Sequence, residues 1–425
     1  MGSLVYLVRQ EDVVYRGYRK DWYNDGLTLS LFSRVTNGIF EGFLFDALKS
    51  KLRLKWKQTY DTVYPFGDFR ECFYETLWVF NLVDDILFFY KKDSSKRLPL
   101  FALRQRLITL EDFELCDLPN PPETDIQKAF PAPYWKPALN VPAVRTAFVH
   151  RLLQDLNFQW RSVLRNRYNQ LTFRKLARAV LRIAVLDFNV VEYSSWIHRQ
   201  GGALVGTTDL PEWEPINSKV IPVGNLRVIA TQDPQECIAL IRKELNVQQT
   251  ATSHESCNLA NRLLDQTYLI MSLRHIGLYR YTGTNLEWTE PEPFLNGRDP
   301  VSDRAVDLLL SAIPAIDPKT ALHKLPIEIQ DRILGYISSG PVEPAKIGCL
   351  LGLGSPFAWR DGRMLIESER VLRNRTDRSP VESQIWFGDY MSGISYKGNI
   401  RTIPGHKEPG SNLLSIGYPS KIPTS

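Results

Sequence analysis

Apolar residues recur at helical spacing in several stretches of the chain. Within 171–185, Phe173, Leu176, Val180 and Ile183 fall three to four residues apart, which places them on one face of a helix and that face against a core. The stretch 144–166 reads as a second helix. The run 71–92, apolar on most faces and ending in Lys91 and Lys92, reads as a third, because terminal cations complement the helix dipole. A helix over 257–273 precedes two short strands, 278–281 and 286–288, joined by the turn signal Thr282-Gly-Thr-Asn285. Short strands are also expected over 220–223 and 227–230. The mixture predicts an α/β or α+β class: a helix-dominated mixed fold with short strands.

Proline density divides this pattern. Pro119, Pro121, Pro122, Pro131, Pro133, Pro137 and Pro142 forbid a helix in their neighbourhood, since each ring removes a donor and restricts its predecessor. The expected organisation is an aromatic-rich N-terminal part over 1–118 and a connector over 119–142. A basic helical central part with short strands follows over 143–312, then a C-terminal part over 313–398 and a loose tail over 399–425.

Composition adds exclusions. Of 425 residues, 44% are hydrophobic and 23% charged, a globular balance that removes the disordered and collagen-like classes. Five cysteines, widely spaced and without a C-x-x-C pair, argue against a disulfide framework or a zinc site. A net charge of +5 is too mild to specify a nucleic-acid partner by itself. The first residues show no basic leader with an apolar core, and the apolar stretch 77–90 is interrupted by Asn81, Asp84 and Asp85. A cytoplasmic protein with no membrane partner is expected.

Candidate chemistry lies in two clusters. If 71–92 is a helix, Phe73, Leu77, Phe80 and Asp84 share a stripe, and a carboxylate there needs a cation, hydrogen bonds or a raised pKa. Alternatively Asp84 and Asp85 sit at a turn or pair with nearby Lys or Arg. The second cluster is basic: Arg174, Arg178 and Arg182 recur every four residues with Lys175 alongside, and Arg161 and Arg165 stand just upstream. Such a ridge suits a phosphate backbone, and it also suits an ordinary solvated helix face. The glycines of 199–208 lack a P-loop lysine, the six histidines are scattered, and no G-x-S-x-G elbow is present. No metal site and no cofactor are expected.

Two resemblances follow from these residues. The stretch Leu325-Pro-Ile-Glu-Ile-Gln-Asp-Arg-Ile-Leu334, with Cys349 and the closing Trp359-Arg360, resembles an F-box. That resemblance implies an interaction protein, a substrate adaptor that docks the scaffold of a ubiquitin ligase through a helix face carrying Leu325, Ile329, Ile333 and Leu334. The layout as a whole, with its Asp-Asp pair and basic helical centre, resembles the fungal arginine-containing cyclodipeptide synthases. Their D-D-x-x-E motif carries over to Asp84 and Asp85, with Phe88 at its final position. This second resemblance implies a transferase that joins arginine from arginyl-tRNA with a second aminoacyl group into a diketopiperazine. Asp84 and Asp85 would then recognise arginine or act as base, and the Arg ridge would hold aminoacyl-tRNA phosphates.

Overall fold

The strand Gly2–Arg9 (β1) is apolar on both faces, and the computed structural model places it in the interior of a sheet with both of its faces buried. The structure describes residues 2–9, 13–22, 24–66, 74–117, 130–194, 210–223, 226–252, 266–282, 285–313, 320–337, 340–357, 359–361, 364–368 and 381–399. After β1 come Val13–Arg19 (β2), helices Asp25–Thr36 (α1) and Glu41–Lys51 (α2), and Lys57–Thr59 (β3). Next are Tyr74–Asn81 (β4), Ile86–Lys91 (β5), Ser94–Pro99 (β6), helix Leu100–Gln105 (α3) and Glu114–Leu115 (β7). These strands form one seven-stranded sheet in the order β3-β2-β1-β4-β5-β6-β7, antiparallel except where β1 meets β4.

Alternation along the strands sorts this core into two layers. Val5, Leu7, Trp78, Phe80, Leu87 and Phe89 pack with Leu29 and Phe32 of α1 and Leu44 of α2. Leu4, Tyr6, Leu77, Val79 and Tyr90 form the opposite layer. The stretch 71–92 is therefore not a helix: its described part is the β4–β5 hairpin with a four-residue connection at 82–85. A strand buried on both faces is apolar all along its length, as is a buried helix. The phenylalanines, tyrosines and Trp78 of this run favour the strand.

The rest of the chain supplies helices Ala143–Gln159 (α4), Arg161–Leu164 (α5) and Gln170–Ala184 (α6), strand Asn189–Ser194 (β8), then Val220–Val223 (β9) and Leu226–Ala230 (β10). Helix Pro234–Thr252 (α7) leads to Gln266–Met271 (β11), His275–Tyr281 (β12), Leu286–Trp288 (β13) and Glu292–Pro293 (β14). Helices Asp303–Ser311 (α8), Ile327–Ile337 (α9) and Val342–Leu351 (α10) follow, then Arg360–Asp361 (β15), Met364–Ser368 (β16), Val381–Phe387 (β17) and Tyr390–Asn399 (β18). The helix expected over 171–185 is present, as are the strands over 220–230 and 278–288; the one expected over 144–166 is two, α4 and the short α5, broken at Trp160. The expectation of a helix over 257–273 fails at 266–271, which is β11, parallel to β10; residues 257–265 lie outside the described set.

Strands β13-β12-β11-β10-β9 form a second sheet, with β14 also on β12, and β15-β16-β18-β17-β8 form a third. The class is α+β with extensive sheets, so strands carry more of the fold than the helical reading anticipated. One apolar cluster gathers Phe148 and Leu152 of α4, Trp160 between α4 and α5, Val180 of α6, Leu309 of α8, Val342 of α10, and Ile385 and Ile394 of the third sheet. Residues from both sides of the break at 313 thus share a core. Of the connector, 130–142 forms neither helix nor strand before α4 begins; Phe130 is buried against Tyr279, and Trp288 Nε1 donates to Pro131 O at 2.8 Å. The Gly-rich 199–208 and the tail beyond 399 lie outside the described residues.

Candidate functional site

Asp84 and Asp85 occupy the β4–β5 connection. Asn81 shapes it: its Oδ1 accepts from the Val83 and Asp84 amides at 3.0 and 3.1 Å, and its side-chain amide donates to Asp84 Oδ2 at 2.7 Å. Asp84 is exposed. Asp85 adopts φ 54°, a left-handed conformation that Asp tolerates better than most residues. Its carboxylate meets Arg104 Nη2 at 3.2 Å, and its carbonyl accepts from the Leu100 amide at 2.8 Å. The apolar helical stripe expected to carry Asp84 does not exist, because the residues are a turn, where a carboxylate stays hydrated.

The basic cluster is dispersed among main-chain partners. Arg174 Nε donates to Ile216 O at 2.6 Å, and the Ile216 amide returns to Arg174 O at 3.2 Å. Lys175 is buried; its Nζ donates to Trp213 O at 2.6 Å and lies 4.5 Å from the Tyr60 ring centre. Trp213 Nε1 in turn donates to Lys175 O at 2.8 Å. Arg182 Nε holds Asp187 through its carbonyl at 2.8 Å and its carboxylate at 3.1 Å. Arg161 is buried over the Phe158 ring, and Arg165 Nε donates to Gly297 O at 2.7 Å. Arg178 alone of these six is exposed. The fourfold spacing is real, but its members serve different ends: Arg174, with Lys175 beside it, tethers the returning segment 210–216, Arg182 holds Asp187, and Arg178 faces solvent.

The F-box-like stretch forms the helical pair α9–α10, whose two members differ sharply in burial. Helix α10 is fixed to the body. Its first residue, Val342, is fully buried, and Cys349 Sγ donates to Val144 O at 3.4 Å. At its N-terminus the Val342 and Glu343 amides both donate to Glu192 Oε1 at 3.0 Å, while the Ser383 hydroxyl donates to Glu192 Oε2. Gly340 leaves the space this carboxylate fills. Burial pushes the Glu192 carboxyl above its ordinary value, against the lowering effect of these three donors.

Helix α9 lies outside α10. It is held by Leu334, 6% exposed, by Gln330 Oε1 accepting from the Gly354 amide at 2.9 Å, and by Asp331 accepting from the Ser355 amide and hydroxyl at 2.7 and 2.6 Å. Its other side carries Ile329, Ile333, Tyr336 and Ile337 at i, i+4, i+7 and i+8, the stripe a globular helix turns to the core. Here Ile333 is half-buried, while Ile329, Tyr336 and Ile337 are 37%, 84% and 53% exposed. Leu325, just before α9, and Ile327, its first residue, are also exposed. Sequence reasoning stopped at Leu334; continuing the same period would have reached Tyr336 and Ile337. Glu192 carries no sequence signal, since its partners lie some 150 and 190 residues downstream.

Other chemistry is sparse among the described residues. No group of three metal-ligating side chains occurs. Cys237 and Cys349 are buried and their thiols pushed up, that of Cys349 to about 12, which keeps them protonated and unreactive. Two of the described histidines are occupied structurally, with His150 Nε2 2.8 Å from Val301 O and His323 Nε2 3.0 Å from Leu351 O; the third, His275, is partly buried in β12. No described helix is long and apolar enough to cross a membrane. Comparison with known proteins finds no family model, curated protein or solved structure that matches the chain.

Proposed function

We propose that this chain is an interaction protein, an F-box-like adaptor that docks the scaffold of a ubiquitin ligase through the outer side of α9. The observation that carries the reading is the stripe of Ile329, Ile333, Tyr336 and Ile337, which has the periodicity of a buried helix face while three of its members are exposed. An amphipathic helix presented in this way supplies anchors for a partner's groove. The loop that follows α10 holds α9 through Gln330 and Asp331, so little ordering is needed on binding. The L-P-x-E-I spacing of Leu325, Pro326, Glu328 and Ile329 gives that partner its identity.

The test is capture of the full chain by a purified ligase adaptor subunit. Replacing Ile329, Tyr336 and Ile337 with Ser is expected to abolish capture while melting shifts little, because exposed positions contribute little to folding, typically within about 0.5 kcal/mol each. Failure of the wild-type chain to bind overturns the reading. The arginyl-tRNA-dependent synthase reading draws less on the geometry, since Asp84 and Asp85 sit on a hydrated turn and five of the six basic residues are engaged or buried. It makes its own prediction: an arginine-containing cyclic dipeptide released by a bacterial host that expresses the chain alone, detected by mass spectrometry.

A further inference from the structure

On the side of α9 away from the apolar stripe, a cavity of about 350 Å³ opens between α9, α10 and the loop 353–357. Its walls include Val144, Leu334, Pro341 and Phe357. The Phe357 wall is rigidly backed: its ring meets Phe148 at 5.1 Å and Trp359 at 4.1 Å, and Arg151 stacks on Trp359 at 4.6 Å. A volume of this size is in the range of small-molecule sites, which are mostly apolar with a few placed polar groups.

Three polar side chains reach the cavity, and two of them are satisfied by each other. Asp331 accepts from both the amide and the hydroxyl of Ser355. Arg360, at the start of β15, is exposed and makes no ion pair with any described residue. Gly335 also lines the cavity, in the interior of α9. Glycine there costs helix stability relative to alanine. A Cβ at Gly335 would meet nothing within 4 Å, so nothing within the described fold requires the glycine. Its missing side chain keeps the cavity open.

We infer that this cavity binds a small carboxylic acid with an apolar body, its carboxylate on Arg360 and its body between Pro341, Phe357 and Gly335. A guanidinium meets a carboxylate in bidentate geometry, and the neighbouring apolar walls reward burial of a hydrocarbon tail or ring. This goes beyond the docking reading and stands independently of it, since the cavity lies on the other side of α9.

The test titrates the full chain with 4-phenylbutyrate, octanoate and the uncharged 4-phenylbutyramide, followed by calorimetry. The acids are expected to bind at least about tenfold more tightly than the amide, the effect of one charge-assisted contact. Arg360→Gln should bring 4-phenylbutyrate down to the level of the amide. Gly335→Leu should weaken all three ligands at least about tenfold while the melting temperature holds or rises; Gly335→Ala, which adds a single methyl into open space, should weaken them less. Equal binding of acid and amide overturns the inference. So does acid binding that survives both Arg360→Gln and Gly335→Leu, or no detectable binding of either acid to the wild-type chain.

Discussion

Glu192 shows how one side chain can join distant parts of a fold. It reaches from β8 to the N-terminus of α10, where two amides would otherwise lack partners. Its elevated pKa means that the folded state holds the proton more tightly than the unfolded chain does. Stability from this site is therefore fully present below the unfolded carboxyl pKa and lost as pH rises through the folded one. Glu192→Gln imitates the protonated form and keeps an oxygen for both amides. It should melt at or above the wild type at neutral pH, with the two curves converging on acidification. Glu192→Ala leaves the amides bare and should cost about 0.5–2 kcal/mol at acidic pH, the usual range for a lost helix cap, and less towards neutral pH. Thermal melts of the three proteins from pH 4 to 7 check both statements; a Gln variant less stable than wild type at neutral pH would contradict the first.

At the scale of elements, legibility in the sequence depends on what surrounds each element. Helix α6 is readable because one face is apolar and the other polar, so Phe173, Leu176, Val180 and Ile183 announce it. The β4–β5 hairpin is not, because Leu77 and Trp78, or Phe88 and Phe89, are apolar neighbours that face opposite layers. The candidate docking helix is legible in its start, Leu325-Pro-Ile-Glu, and illegible in its exposure, which depends on where α10 packs. For α6 the polar side is equally deceptive, since the partners of Arg174 and Lys175 lie some forty residues away. Arg174→Ala should accordingly cost about 1–3 kcal/mol, since it leaves a main-chain acceptor unpaired. Arg178→Ala, four residues on and exposed, should stay within about 0.5 kcal/mol. Chemical denaturation of the two variants distinguishes a tether from a uniformly solvated ridge, for which the two costs would be alike.

Across the whole molecule, one core spans both the proline connector and the break at 313, since Val63 is buried in the same cluster as Phe148 and Val342; the seven-stranded sheet nonetheless has cores of its own. Residues before the connector carry both layers of the seven-stranded sheet, with the cores around Phe32 and around Tyr6. A fragment of residues 1–117 should unfold cooperatively, as followed by circular dichroism. A fragment of residues 1–313 should not do so throughout, because it lacks Val342, Ile385 and Ile394 of the shared core and strands β15–β18 of the third sheet. Two separate transitions of wild-type steepness in that longer fragment would refute the shared core. Proline density and composition predict the first boundary; the burial of Val63 across it and the pairing of β8 with β17 across the second depend on long-range contacts, which no local pattern encodes.

That pairing also sets a timetable. Strand β8 has β17 as its partner in the third sheet, with Ser194 opposite Val381. At a synthesis rate of about 5–20 residues per second, β17 leaves the ribosome roughly ten to forty seconds after β8. During that interval β8 is an unpaired strand whose amides and carbonyls can template pairing with another nascent chain. The protein's yield in a fast-translating host should then depend on holding chaperones, and slowing elongation should raise the yield when such chaperones are scarce.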